Sequence, residues 1–299
     1  MRRFLCLGMV LLLAMALAIP ATATDKKMVV GSKAFSEQRL LGQIMIQLLE
    51  KNGFKVDDKT GLGGTLVVRE ALVNKQIDIA MEYTGTGLIT ILKAPQPITD
   101  PVKCYEEVKM LDAKNGMVWL PFIPFNNTYC LMMRRADAEK LNIKTISDLS
   151  KYANANPGKI AFGLNAEFYS RPDGYKPLQT AYDFKFPEDK IIKMDPGLLY
   201  KALKEGQVEV SMGFSTDGRI REFDLLVLQD DKVYFPVYNP CVVVRKETLD
   251  AYPELAKIFA PLSQKLDTKT ITELNFQVDG EKKAAKDVAK EWLTKVGLL

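Results

Sequence analysis

Residues 71–87 align without gaps on residues 202–218, at an offset of 131 positions. Ala71-Leu72, Gln76-Ile77-Asp78-Ile79 and Met81 meet Ala202-Leu203, Gln207-Val208-Glu209-Val210 and Met212. Each copy reads as the end of a helix, a short apolar strand, an aromatic residue (Tyr83 or Phe214) and a polar turn containing glycine. A period this long excludes a solenoid, whose units run to roughly 20–50 residues, and suits two similar lobes. Asn127-Thr128-Tyr129-Cys130-Leu131-Met132-Met133-Arg134-Arg135 resembles Tyr238-Asn239-Pro240-Cys241-Val242-Val243-Val244-Arg245-Lys246, each an apolar strand ending in two bases. If the chain crosses between lobes at these segments, one lobe is discontinuous. It spans 24–129 plus 238–299, and the other spans 130–237.

The patterning around the repeat is that of an α/β protein. Residues 28–31 read as a buried strand, and Ser36 as the cap of a helix over 37–51 that Asn52-Gly53 ends. Residues 54–56 form a second strand, and Gly61 to Gly64 a turn. Thr65 caps a helix to Leu72, and 77–81 form a third strand. This rhythm predicts mostly parallel sheets with helices on their faces. Ligands of such sheets bind beyond the carboxyl ends of the strands, where Tyr83 and Phe214 stand, one from each lobe.

The start of the chain bears on its compartment. Arg2 and Arg3 precede an apolar run from Phe4 to about Pro20, closed by Ala21-Thr22-Ala23. That is the layout of a secretory signal peptide cut near Ala23, with a membrane anchor as the alternative. Residues 1–23 are therefore set apart from the mature protein. Its charge is small and no basic run stands out, so nucleic acid is not an expected partner. The sequence contains no histidine, which excludes Ser-His-Asp and Cys-His nucleophiles and His-ligated metal sites. No C-x-x-C pair occurs, so no metal or cofactor is expected, and a binding role is favoured over an enzyme. Cys130 and Cys241 stand at matching places on the two crossing strands, which leaves open a disulfide or two buried thiols.

Several short motifs resemble, in order and over nearly the whole mature chain, the periplasmic substrate-binding proteins of betaine, choline and carnitine ABC transporters. They are Gly31-Ser32-Lys33-Ala34-Phe35-Ser36-Glu37-Gln38, Leu62-Gly63-Gly64-Thr65, Glu82-Tyr83-Thr84-Gly85-Thr86, Asn127-Thr128-Tyr129, Phe162-Gly163-Leu164 with Glu167-Phe168, Phe214-Ser215-Thr216-Asp217-Gly218 and Phe235-Pro236-Val237-Tyr238. The resemblance implies a two-lobed α/β fold of type II winding with two hinge strands, a monomer in the periplasm, and an inner-membrane ABC permease as partner. It implies an aromatic box for a quaternary ammonium group at Tyr83, Tyr129, Phe214 and Tyr238. A quaternary nitrogen offers no N–H, so ring faces are its natural partners. The carboxylate of a betaine falls to Lys33, Thr86 and Arg171, with Gln38 at the cleft edge. Phe214 stands where tyrosine is common, and Asn127 where Asp is common, so weaker attraction for choline is expected. Glycine betaine is the leading cargo. Choline, carnitine or an amino acid are the alternatives.

Overall fold

A computed structural model describes residues 26–299. The expected signal peptide, residues 1–23 with Cys6, lies outside the described residues. Ten strands form two five-stranded sheets. The first contains β1 (Lys27–Lys33), β2 (Lys55–Gly63), β3 (Ile79–Tyr83), β4 (Met117–Trp119) and β10 (Pro240–Arg245), in the order β2-β1-β3-β10-β4. The second contains β5 (Tyr129–Arg134), β6 (Phe162–Leu164), β7 (Ile191–Lys193), β8 (Val210–Phe214) and β9 (Leu225–Val227), in the order β7-β6-β8-β5-β9. The two orders are the same pattern. β1 pairs in parallel with β2 and β3, as β6 does with β7 and β8. β10 and β5 then run antiparallel in the fourth place. In each sheet four strands run one way and one runs against them, because each takes one reversed strand from a segment that arrives from the other sheet.

The repeat holds at the level of elements. Helix α1 (Ser36–Lys51) follows β1, and α2 (Thr65–Val73) precedes β3. Helix α3 (Pro196–Lys204) precedes β8 at the offset seen in the sequence. β3 is buried along its whole length, as a central strand covered on both faces must be. β2 is the exposed edge and carries Lys55, Asp57, Asp58 and Lys59, charges that discourage pairing with another chain. Helix α1 covers the first sheet with a face that includes Leu40, Leu41, Ile44 and Leu48, and packs against the C-terminal helix Ala285–Lys295.

The chain leaves the first sheet after β4 and returns after β9. The two crossing segments lie side by side. The Asn127 N–H donates to the Tyr238 carbonyl (3.2 Å), and Asn239 Nδ2 donates to the Phe125 carbonyl (2.8 Å). β5 and β10 lie in separate sheets and do not pair, so Cys130 faces Gly213 and Cys241 faces Glu82. Both are buried free thiols, as is Cys104. Among the described residues no helix is long and apolar enough to cross a membrane.

Candidate functional site

The reversed strands explain why the aromatic residues converge. A strand running antiparallel to its neighbour begins where that neighbour ends. Tyr83 closes β3 opposite Pro240, two residues beyond Tyr238, and Phe214 closes β8 directly opposite Tyr129, which opens β5. Four rings from two sheets therefore stand at or beside strand ends around one small cavity of about 50 Å³. Ring centroids are 5.3 Å apart for Tyr129–Phe214 and 5.5 Å for Tyr129–Tyr238, the latter pair edge to face. Phe35 is a fifth ring. It stacks on Phe214 at 5.1 Å and on Tyr83 at 6.4 Å, closing the gap between the two sheets. The cavity adjoins a larger cleft of about 940 Å³ lined from both sheets.

Lys33, Thr86, Arg171 and Asn127 also line the small cavity. Thr86 opens a π-helical turn, Thr86–Ile91, an irregularity concentrated at functional sites. Lys33 is buried, ion-paired with Glu82, and lies 5.0 Å from the Tyr83 ring centroid. Arg171 grips Asp173 through two bonds of 2.7 Å and reaches Thr86 Oγ1 at 3.4 Å. Its guanidinium carbon lies 5.2 Å from the Tyr129 centroid and 6.0 Å from that of Tyr238. Burial alone would weaken its hold on a proton, but Tyr129 and Asp173 raise it well above the ordinary value. Gln38 is fully buried and does not line the cavity. Its Oε1 accepts from the Lys33 N–H (3.4 Å), and its Nε2 has no partner.

Two polar systems escaped the sequence reading. The first joins the sheets beside the rings: Thr65 Oγ1 donates to Glu167 Oε1 at 2.6 Å, and Tyr238 Oη donates to Asp173 Oδ2 at 2.8 Å. The Glu167 carboxyl lies below its ordinary value. Burial pushes it up, and Lys33, Thr65 and Arg171 outweigh that push. The second system centres on Glu37, which is buried. Tyr83 Oη (2.6 Å) and Asn127 Nδ2 (2.7 Å) donate to its Oε1. Thr216 Oγ1 (2.6 Å) and Asn275 Nδ2 (2.8 Å) donate to its Oε2. Burial raises the Glu37 carboxyl above its ordinary value, against the pull of these four donors. The Asn127 and Asn275 side-chain carbonyls are buried at the cleft without partners. Glu37 lies in a motif the sequence reading had singled out, but its partners are as far away as Asn275, so no local signal names them.

Two sheets of this winding, joined by a pair of crossing segments and meeting at a ring-lined cleft, define a two-lobed ligand-binding protein of type II. The model of the family described as the substrate binding domain of ABC-type glycine betaine transport systems matches residues 26–295. The chain belongs to that family, whose members are extracytoplasmic binding proteins of ABC transporters and not enzymes. It is 42% identical to a glycine-betaine-binding protein of Pseudomonas aeruginosa, over 99% of this chain and 95% of that one. It is 35% identical to the carnitine transport binding protein OpuCC of Listeria monocytogenes, over 98% and 97%. A crystal structure titled as a glycine betaine/carnitine/choline ABC transporter superposes with a TM-score of 0.73. It covers 92% of this chain and 99% of its own, at 32% identity.

Proposed function

We propose that the chain captures a small quaternary ammonium compound, glycine betaine or a close relative, between its lobes and delivers it to an ABC permease. The observation that carries this reading is the convergence of Tyr83 and Tyr238, from beside the first sheet, and Tyr129 and Phe214, from the second, on one small cavity. Cation–π contacts contribute roughly 0.5–2 kcal/mol each, more when desolvated. Three or four of them with one paired carboxylate account for micromolar binding, about −8 kcal/mol.

We place the lobes at 24–129 plus 238–299 and at 130–237, with the boundary residue Tyr129 already opening β5 of the second sheet, and they part at the crossing segments. Parting is required for entry, because about 50 Å³ is far below the roughly 300–1,000 Å³ of a small-molecule pocket. Closure then brings rings from both lobes onto the cationic head, so ligand favours the closed state by contacts that exist only there. The carboxylate faces Thr86, Lys33 and Arg171, the two bases being ion-paired in this state with Glu82 and Asp173. The mature protein acts as a monomer in the periplasm after cleavage near Ala23, which sequencing the N-terminus of the exported protein checks.

Calorimetry with glycine betaine, choline, carnitine, proline and arginine tests the reading. Heat and thermal stabilisation with the methylated ligands, and none with proline or arginine, is the expected result. No heat and no shift with any quaternary ammonium compound up to millimolar concentration sinks it.

A further inference from the structure

The acids around the rings differ in how their charge is met. Glu82 faces Lys33, Asp173 faces Arg171, and Glu167 shares Arg171 at 3.3 Å. Glu37 faces no base: among the described residues it forms four hydrogen bonds and no ion pair. Two of its four donors are amide NH2 groups, which cannot accept a proton, so the set suits the ionised carboxylate. A buried charge with hydrogen bonds but no counter-charge is a costly arrangement that the fold retains beside a cation site.

We propose that Glu37 is the counter-charge of the ligand's cationic head, a specificity-determining residue that acts through Tyr83 and Asn127 without touching the ligand. The inference rests on the reading of the ring-lined cavity as a quaternary ammonium site. Three features carry it. The carboxylate lies 2.6 Å from the hydroxyl of a cavity tyrosine, and accepting that proton makes the ring face more negative. The side chain at 127 is a neutral amide, and the anion stands 2.7 Å behind it, so the negative charge of the site is moved back rather than lost. Thr216 comes from the second sheet's side of the cleft, so the carboxylate receives its full set of donors and loses its water only as the halves meet. An ion shut away in this manner attracts a cation through a medium of low polarity, where the attraction is far stronger than in water.

The test separates charge from packing. Glycine betaine and 3,3-dimethylbutanoate have the same shape, but carbon replaces the quaternary nitrogen in the second, and the positive charge is gone. Their affinities are compared by competitive titration in the wild type and in Glu37→Gln. The preference for betaine over its isostere is expected to fall at least about tenfold in the variant. An unchanged preference, whatever happens to the absolute affinities, makes Glu37 structural and overturns the inference. Asn127→Asp is the second arm: it keeps the Glu37 side chain and replaces one of its amide donors with a second carboxylate. Two carboxylates in contact share one proton, so choline affinity should rise no more than about threefold. A rise of about tenfold or more shows that the site lacked an anion and overturns the inference. If the wild type binds no quaternary ammonium compound, the reading of the site and this inference fall together. If it binds betaine and only the preference stays unchanged in Glu37→Gln, the inference alone falls.

Discussion

The two halves share a strand order and diverge at the strand ends. In the first, β1 ends on Lys33, β3 carries Glu82 beside Tyr83, and the Tyr83 hydroxyl is tied to Glu37. In the second, β6 is followed by Asn165, Gly213 stands where the first half has Glu82, and Phe214 has no hydroxyl to tie. Asn165 caps the short helix Ala166–Ser170 through the Phe168 N–H (2.7 Å). At the strand ends one half supplies charge and a fixed ring and the other an apolar wall; the second half's charges, Glu167, Arg171 and Asp173, stand off its strands on a short helix and the loop after it and reach across. A duplicated scaffold therefore does not produce a symmetric site. The core of each sheet is constrained by packing on both faces, whereas residues at strand ends are free to specialise.

That asymmetry predicts unequal effects. Tyr83→Ala removes a ring and one of the four donors to the Glu37 carboxylate, so affinity for glycine betaine should fall roughly a hundredfold, about 2.7 kcal/mol by calorimetry. Phe214→Ala removes a ring alone, and a loss of about tenfold, 1.4 kcal/mol, is expected. Equal losses at the two positions would break the contrast between the halves. Thr65→Val cuts the bond to Glu167 across the cleft. It should weaken ligand binding by about threefold to tenfold, in the range of one ordinary hydrogen bond at about 0.5–1.5 kcal/mol, and raise the radius of gyration of the liganded protein in solution scattering. Phe214→Tyr restores a hydroxyl with no Glu37 equivalent behind it, and a gain of no more than about threefold is expected.

The Glu167 contact should also depend on pH. Its folded-state carboxyl lies below the ordinary 4.5, so the contact contributes fully above that value. The contribution is lost as pH falls through the lower folded value. Glu37 has the opposite sign, since its raised carboxyl favours the folded form at acid pH and that advantage is lost as pH rises through its own value. Thermal melts of Glu167→Gln and Glu37→Gln across pH 3–6 should therefore diverge from the wild type in opposite directions.

The fold class was legible because helix and strand periodicities and the 131-residue offset are local or self-similar signals. The four rings, Lys33, Thr86, Arg171 and Asn127 were legible as a group from motif resemblance, and they line one cavity. Other features depend on contacts distant in sequence. Ser36 and Thr65 read as helix caps, yet α1 and α2 begin after Phe35 and Gly64 without side-chain caps. Their hydroxyls go instead to Asp279 (2.6 Å) and Glu167 (2.6 Å), because partners at the cleft outcompete a local amide. The turn expected at Gly61–Gly64 is the end of β2. Gly61 and Gly63, at φ of 85° and 152°, absorb the shift in register against β1 there. Glu37 was invisible as a hub for the same reason: its donors Tyr83, Asn127, Thr216 and Asn275 are scattered along the chain.

The exchanged strands have a consequence for how the chain is made. β10 sits between β3 and β4, yet it is synthesised after every strand of the second sheet. A growing chain that has completed the second sheet still holds the first with its fourth place, between β3 and β4, unfilled. Early parallel pairing gains little from local contacts, and the last fifth of the sequence must arrive before that half can close. A nascent chain built to this plan stays unfinished, and a substrate for chaperones, until near its last residues.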